Sequence, residues 1–424
     1  MKKIIYSLGV VSCIYIAHAS ENSLNASENI NEPVAIVQDD TIEIAKKRSS
    51  KIFEIDERKI VKPIGNEIMC LSIDGGGIRG IIPAVLIAAL EEMITEKMND
   101  GAEHYIADYV DCISGISVGG IIATLISVTD DQNYSYYSGS DIYHLLRDNG
   151  TDIFKRNMFS CFGLLRPLYT NTNLIQMAKK KLSDVMKDEG DYPKLSDIKK
   201  VNFIGLAVDI ANEKTVLYKN WKAAEDPKYD YYLHDVAVST SSAPYYFPSY
   251  YLENVNGEAK HRMCDGGMCL NNPSQIVYNS MHKFFPEKKI NIFSIGTGAS
   301  ERGIIPDYNK GNGSILFWAG DIINTFMWSD ANNIDYALKN DSYNVNYERL
   351  QTPLLLASSA MDNTNSENIL HLKQDALSYL DSNFEEFEKI ANLLIANKDP
   401  NKKILQIDKS NIMKVLEHDL NRNL

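Results

Sequence analysis

Beyond residue 19 the sequence has no apolar run that approaches the roughly 20 residues needed to cross a bilayer, so no span is predicted in the mature chain. Basic residues are in deficit: 43 Lys and Arg stand against 56 Asp and Glu, a formal charge of −13. A nucleic-acid partner is therefore not expected, because phosphate backbones want clustered Lys and Arg. Charge of this sign offers no bulk attraction to an anionic membrane either, so any peripheral membrane contact must be local and apolar. Cysteine is scarce, six in all with one in the first 19 residues. The remaining five are odd in number, so at least one is unpaired unless it bridges chains. Cys70 and Cys112 sit in apolar strand-like runs and read as small buried hydrophobes. Cys264 and Cys269 flank an Asp-Gly-Gly turn and could pair in an oxidising compartment. Their spacing does not suit zinc, no histidine pair completes a site, and no metal is expected. Internal repeats, heptads and low-complexity tracts are absent.

What is present begins with an export signal. Lys2 and Lys3 precede an almost uninterrupted apolar run, Ile4 to Ile16, and Ala17-His18-Ala19 fits a small-x-small cleavage pattern. The chain is expected to be secreted or periplasmic. The alternative, lipoprotein anchoring at Cys13 in Val10-Val11-Ser12-Cys13, is disfavoured because Ile14-Tyr15-Ile16 would stay apolar after cleavage. Removal of residues 1–19 takes two positive charges and no acids from the −13 and leaves −15. Residues 20–66 are polar and weakly patterned, an exposed extension or linker. Residues 67–300 carry strand, loop and helix rhythms and form the expected main domain. Residues 301–424 read as mainly helical and are expected to pack on that domain. With 44% hydrophobic residues, a chain of 424 has ample material for such a core.

Ile68 to Ile73 is a mostly apolar strand of the kind buried on both faces. It runs into Asp74-Gly75-Gly76-Gly77-Ile78-Arg79-Gly80, and Pro83 then opens a helix reaching about Met98. Glycines between a strand and a helix expose amide N–H groups, a ready anion site. Gly75, Gly77 and Gly80 also fit G-x-G-x-x-G, but no acidic residue ends a second strand about 20 positions on, so a dinucleotide is not expected. An oxyanion loop is favoured over a purely structural turn.

The second unit is a strand, Tyr109 to Ser114, then Gly115-Ile116-Ser117-Val118-Gly119, then the apolar helix Ile121 to Val128. G-x-S-x-G in this context reads as a nucleophile elbow, with Ser117 the nucleophile. A serine needs a base. One arrangement uses a late histidine, for which His282, His371 and His418 are placed, although each sits at or in a helical pattern. The other uses one carboxylate, Asp265, in Cys264-Asp265-Gly266-Gly267, whose glycines permit close approach of another loop. Partial burial would raise its pKa and improve it as a base. On spacing alone both arrangements remain open.

Together the units resemble the patatin-like phospholipase family. They match at Asp74 to Gly80, at Gly115 to Gly119 and at Asp265-Gly266-Gly267. Ser239 to Pro248, Asn271-Asn272-Pro273 and Ser294-Ile295-Gly296-Thr297-Gly298 follow the same order. The resemblance covers about residues 67–300. It implies an α/β, three-layer α/β/α sandwich with a mainly parallel central sheet. It further implies a Ser117–Asp265 dyad, an oxyanion hole at Gly75, Gly76 and Gly77 supported by Arg79, and a cofactor-free, calcium-independent lipid acyl hydrolase of phospholipase A type. Its substrate would be a membrane phospholipid or another acyl-lipid. Ile116 departs from the small polar residue many members carry there. Two other readings are kept: an acyltransferase using the same dyad, and a non-catalytic lipid- or partner-binding protein. Phe154 to Leu168 mixes basic and aromatic residues and could face lipid; an ordinary surface loop is favoured. Ile315, Trp318, Ile322 and Phe326 share one helical face, for which core packing is favoured over membrane insertion.

Overall fold

A computed structural model describes residues 59–157, 166–186, 191–300, 315–340 and 345–422. The export-signal residues 1–19, the extension up to residue 58 and residues 158–165 of the candidate lipid-facing loop lie outside the described residues. Residues 60–67 are held to the body by three backbone amides: Val61 on Asn202, Ile64 on Asp111 and Glu67 on Asn397.

The strands are β1 (Ile68–Ile73), β2 (Cys112–Gly115), β3 (Asn202–Asp209), β4 (Lys214–Lys219), β5 (Tyr250–Glu253), β6 (Lys260–Asp265), β7 (Ile290–Ile295) and β8 (Val345–Leu350). They form one sheet in the order β5-β6-β3-β2-β1-β7-β8, with β4 also paired to β3. β1, β2, β3, β7 and β8 run parallel. Only β4, β5 and β6 enter antiparallel. β1 and β7 are buried along their whole length, the state of a parallel strand covered by helices on both faces. The mainly parallel sheet flanked by helices is the α/β fold expected. β8 belongs to the sheet although its region reads as mainly helical. It is short, and Asn346, Glu348 and Arg349 interrupt its apolar positions.

The helices that matter to the site are α1 (Ile81–Met98), α2 (Val118–Ser127), α3 (Gly139–Ile153), α4 (Thr172–Ser183), α5 (Asn220–Glu225), α6 (Leu233–Thr240), α7 (Ser274–Phe284) and α8 (Ile315–Asn340). α9 (Ser366–Ser382), α10 (Phe384–Lys398) and α11 (Lys409–Leu420) follow. α1 is apolar nearly all round, as expected of a helix enclosed on every side. It touches the sheet-facing loops and α3, α9, α10 and α11. Its Lys97 is fully buried and finds Glu388 on α10 at 2.7 Å. Glu388→Ala should leave that ammonium buried with no counter-ion and only the Leu405 carbonyl at 3.4 Å, costing about 3 kcal/mol. Urea unfolding would register the loss, and the double change Lys97→Met, Glu388→Leu should recover most of it. Among the described residues no helix is long and apolar enough to cross a membrane.

β3 decides where the chemistry can happen. Its residues 202–205 pair with β2 and residues 207–209 pair with β6, while β4 occupies 204–209. β4 fills one edge, so β2 and β6 must share the other. β2 is parallel to β3 and β6 antiparallel, so their C-terminal ends converge: Gly115 lies opposite Gly205 and Asp265 opposite Ala207.

Candidate active site

The elbow after β2 carries Ser117 at φ 56°, ψ −129°, directly before α2. A non-glycine residue there is strained by about 1–3 kcal/mol, and the surroundings hold it. A Cβ on Gly115 would lie 1.9 Å from the Gly119 carbonyl, so only glycine lets the strand and helix cross this closely. The Ser117 amide donates to Thr240 Oγ1 at 3.2 Å, and that hydroxyl donates to Leu206 O at 2.6 Å. Ser117 is 8% exposed. Ile116 beside it is fully buried.

The loop after β1 is fastened by its carbonyls. Thr297 Oγ1 donates to Gly75 O at 2.7 Å. Arg79 donates to Gly76 O through its backbone amide and through Nε, at 3.2 and 3.3 Å. In a trans peptide the N–H points opposite to the C=O, so the Gly76 and Gly77 amides are turned away from these anchors. The amides of Gly75, Gly76 and Gly77 have no acceptor among the described residues. Gly77 sits at φ 59° with Met361 O where a Cβ would go. Gly80 is buried at the foot of α1.

Asp265 ends β6 and is 3% exposed. Burial pushes its carboxyl up to about 7, against hydrogen bonds with the Ser117 side chain and the Gly267 amide that pull it down. The Gly267 amide donates to Oδ1 at 2.7 Å, and Gly266 packs against Leu206. Ser117 and Asp265 line one narrow pocket with about 60 Å³ of space. Leu146, Ile153, Phe154, Leu174, Phe247 and Met327 contribute its walls, and among the described residues Asp265 is the only carboxylate lining it, with no histidine. Such a cavity accepts a hydrocarbon chain and rejects a charged one. His282, His371 and His418 do not line it; His282 stacks on Tyr278 with ring centroids 5.3 Å apart. On α8, Ile323 and Met327 face the pocket and Phe326 is exposed. The expected core stripe is therefore not formed by Phe326, and the side chains of Ile315, Trp318 and Ile322 lie outside the described residues. Cys264 and Cys269 are both free thiols.

Sequence reasoning missed the support beneath the glycine loop. Arg349 on β8 grips the buried Asp74 with Nη1 to Oδ1 at 2.9 Å and Nη2 to Oδ2 at 2.5 Å. It also reaches Ser294 and Gln351. Asp330 on α8 accepts the Asn271 amide at 2.6 Å. The one available signal was the charged Glu348-Arg349 inside a short Val/Tyr/Leu alternation.

An α/β sheet presenting a serine elbow, a carboxylate and free loop amides to an apolar cavity defines a protein of the lipid-hydrolase class. The patatin-like phospholipase family profile matches residues 71–278. The chain is 28% identical over 355 residues to Patatin-like protein 2 of Oryza sativa subsp. indica, covering 74% of this chain and 84% of that one. It is 32% identical over 208 residues to Patatin-2-Kuras 4 of Solanum tuberosum, covering 48% and 52%. Another Solanum tuberosum relative, Probable inactive patatin-3-Kuras 1, is 26% identical over 350 residues, covering 78% and 85%. The chain belongs to the patatin-like phospholipase family. That last relative's name makes the site's own geometry, and not membership, the ground for any claim of catalysis.

Proposed function

We propose that this protein is an exported serine acyl hydrolase of phospholipase A type that cleaves fatty-acyl esters of membrane lipids with Ser117 as nucleophile and Asp265 as base. The observation that carries this reading is the buried Asp265 carboxylate lining the same apolar pocket as the elbow serine. As Ser117 Oγ adds to the ester carbonyl, its proton passes to Asp265. The carbonyl oxygen becomes an oxyanion beside the unpaired amides of Gly75, Gly76 and Gly77, where fixed donors act without reorganising. The positive end of α2 favours the same charge. Collapse expels the lipid alcohol, which takes the proton from Asp265. Water then adds to the acyl-enzyme, again losing a proton to Asp265, and the fatty acid leaves. Export rests on the signal pattern of residues 1–19.

Mass spectrometry of products from mixed phospholipids and galactolipids tests the proposal. Wild type should release free fatty acids and lysolipids, and Ser117→Ala should release none. Equal release by the two proteins would sink the assignment.

A further inference from the structure

Two adjacent asparagines follow Asp265, and the structure treats them differently. Asn272 is fully engaged. Its Nδ2 donates to Tyr347 at 3.1 Å, and its Oδ1 accepts from the Ser274 amide at 3.0 Å and the Ser274 hydroxyl at 2.6 Å. Asn271 is only 5% exposed, yet its Oδ1 is buried with no hydrogen-bond partner. A buried amide oxygen without a donor is costly unless something visits it. Its backbone is pinned by the hydrogen bond its amide N–H donates to Asp330 Oδ2 at 2.6 Å.

The unpaired oxygen lies between the two catalytic loops. The position a Gly75 Cβ would occupy is 2.6 Å from Asn271 Oδ1 and 2.9 Å from Ser117 Cβ. The position a Gly267 Cβ would occupy is 3.1 Å from Asp265 Oδ1 and 3.6 Å from Asn271 Oδ1. Both glycines lack the side chain that would separate Asn271 from Ser117 and Asp265. An acceptor held here beside an acceptor base calls for a molecule with two donor hydrogens, which water has and an alcohol lacks.

We infer that Asn271 Oδ1 holds the second hydrogen of the water that deacylates the enzyme, and so biases the acyl-enzyme toward hydrolysis over transfer to an alcohol. The inference rests on the Ser117–Asp265 reading. In the step, the water oxygen bonds to the acyl carbon and gives one hydrogen to Asp265. The other stays on oxygen, directed at Asn271. Breaking the bond from the acyl carbon to Ser117 Oγ returns the Asp265 proton to Oγ, and the released acid keeps the hydrogen that Asn271 oriented. An alcohol needs only Asp265, so it gains nothing from Asn271.

The test uses p-nitrophenyl butyrate in aqueous methanol, with butyric acid and methyl butyrate measured by gas chromatography. Asn271→Leu should keep a burst of about one nitrophenol per protein, because acylation needs no water. Its turnover to acid should fall about tenfold, the worth of one oriented hydrogen bond, and its ester-to-acid ratio should rise about tenfold. Asn271→Asp restores an acceptor, so the ratio should return toward wild type, while the added carboxylate moves the rising limb of the pH profile upward. An unchanged ratio in Asn271→Leu overturns the inference, as does an Asn271→Asp ratio equal to that of Asn271→Leu. Circular dichroism melts establish folding, and Asn271→Ala carries the same test if leucine is not accommodated. Ser117→Ala should show no burst; a persisting burst defeats the dyad itself, whatever Asn271 does.

Discussion

Asp265→Asn should lower kcat/KM for ester cleavage by about ten-thousand-fold while making the folded protein more stable at pH 8. The activity follows from the proposed role. An asparagine keeps the shape and can still accept the Gly267 amide, but it cannot take the Ser117 proton. Wild-type kcat/KM should rise with pH through about 7, since burial holds the Asp265 carboxyl there and only the ionised form is a base. The variant's residual rate should lack that limb. The stability effect has a definite sign. Asp265 binds its proton more tightly in the folded state, at about 7, than in an unfolded chain, at about 3.9. Stability from this group is complete below about pH 4 and is lost as pH rises through about 7. By pH 8 the ionised buried carboxylate costs about 2–4 kcal/mol, which the neutral amide removes. Denaturant melts at pH 5 and pH 8 should show the variant's advantage growing with pH. An advantage that shrinks would contradict the burial argument, and a variant that retains full activity would exclude Asp265 as the base.

Arg349→Met should cost about 3–5 kcal/mol, the consequence of leaving Asp74 buried without its partner. Both side chains are almost completely buried, and the bidentate grip at 2.9 and 2.5 Å is the main force opposing desolvation of Asp74. Asp74 immediately precedes Gly75, so loss of the grip frees the start of the loop whose amides receive the oxyanion. Misplacement by about 1 Å is worth about a hundredfold in rate, and kcat should fall by that amount with KM less affected. Arg349→Lys keeps the charge but not the planar fork and should recover stability better than rate. The double change Asp74→Leu, Arg349→Met removes the stranded charge. It should regain most of the stability and none of the rate, which separates loop positioning from general unfolding.

The local half of the site was legible in the residues. Gly115-Ile116-Ser117-Val118-Gly119 between an apolar strand and an apolar helix predicts an elbow, and Ser117 adopts one. Three glycines between β1 and α1 predict exposed amides, and those amides stand unpaired among the described residues. Each is a property of a few consecutive residues. On spacing Asp265 was one Asp-Gly-Gly turn competing with three histidines, and only the ordered motifs of the family resemblance pointed to it. The sheet brings it to Ser117 from 148 positions away, because β2 and β6 end against neighbouring residues of β3. Arg349 showed only as a charge inside a short apolar alternation, Asn271 only as part of Asn271-Asn272-Pro273, and Met327 not at all. Their meaning lies in what they lie against: a carboxylate 275 positions back, the close meeting of two glycine loops, the wall of a cavity.

The sequence by itself therefore determined the fold class, the turn at Ser117 and the family the chain belongs to, because strand periodicity, glycine and motif order act over short stretches. Only the tertiary structure decided how Asp265 is brought into the serine's pocket, how far burial lifts its pKa, what holds the glycine loop and which asparagine is left unpaired. Burial, desolvation and hydrogen-bond satisfaction are set by non-local neighbours, and those exist only once the sheet has assembled.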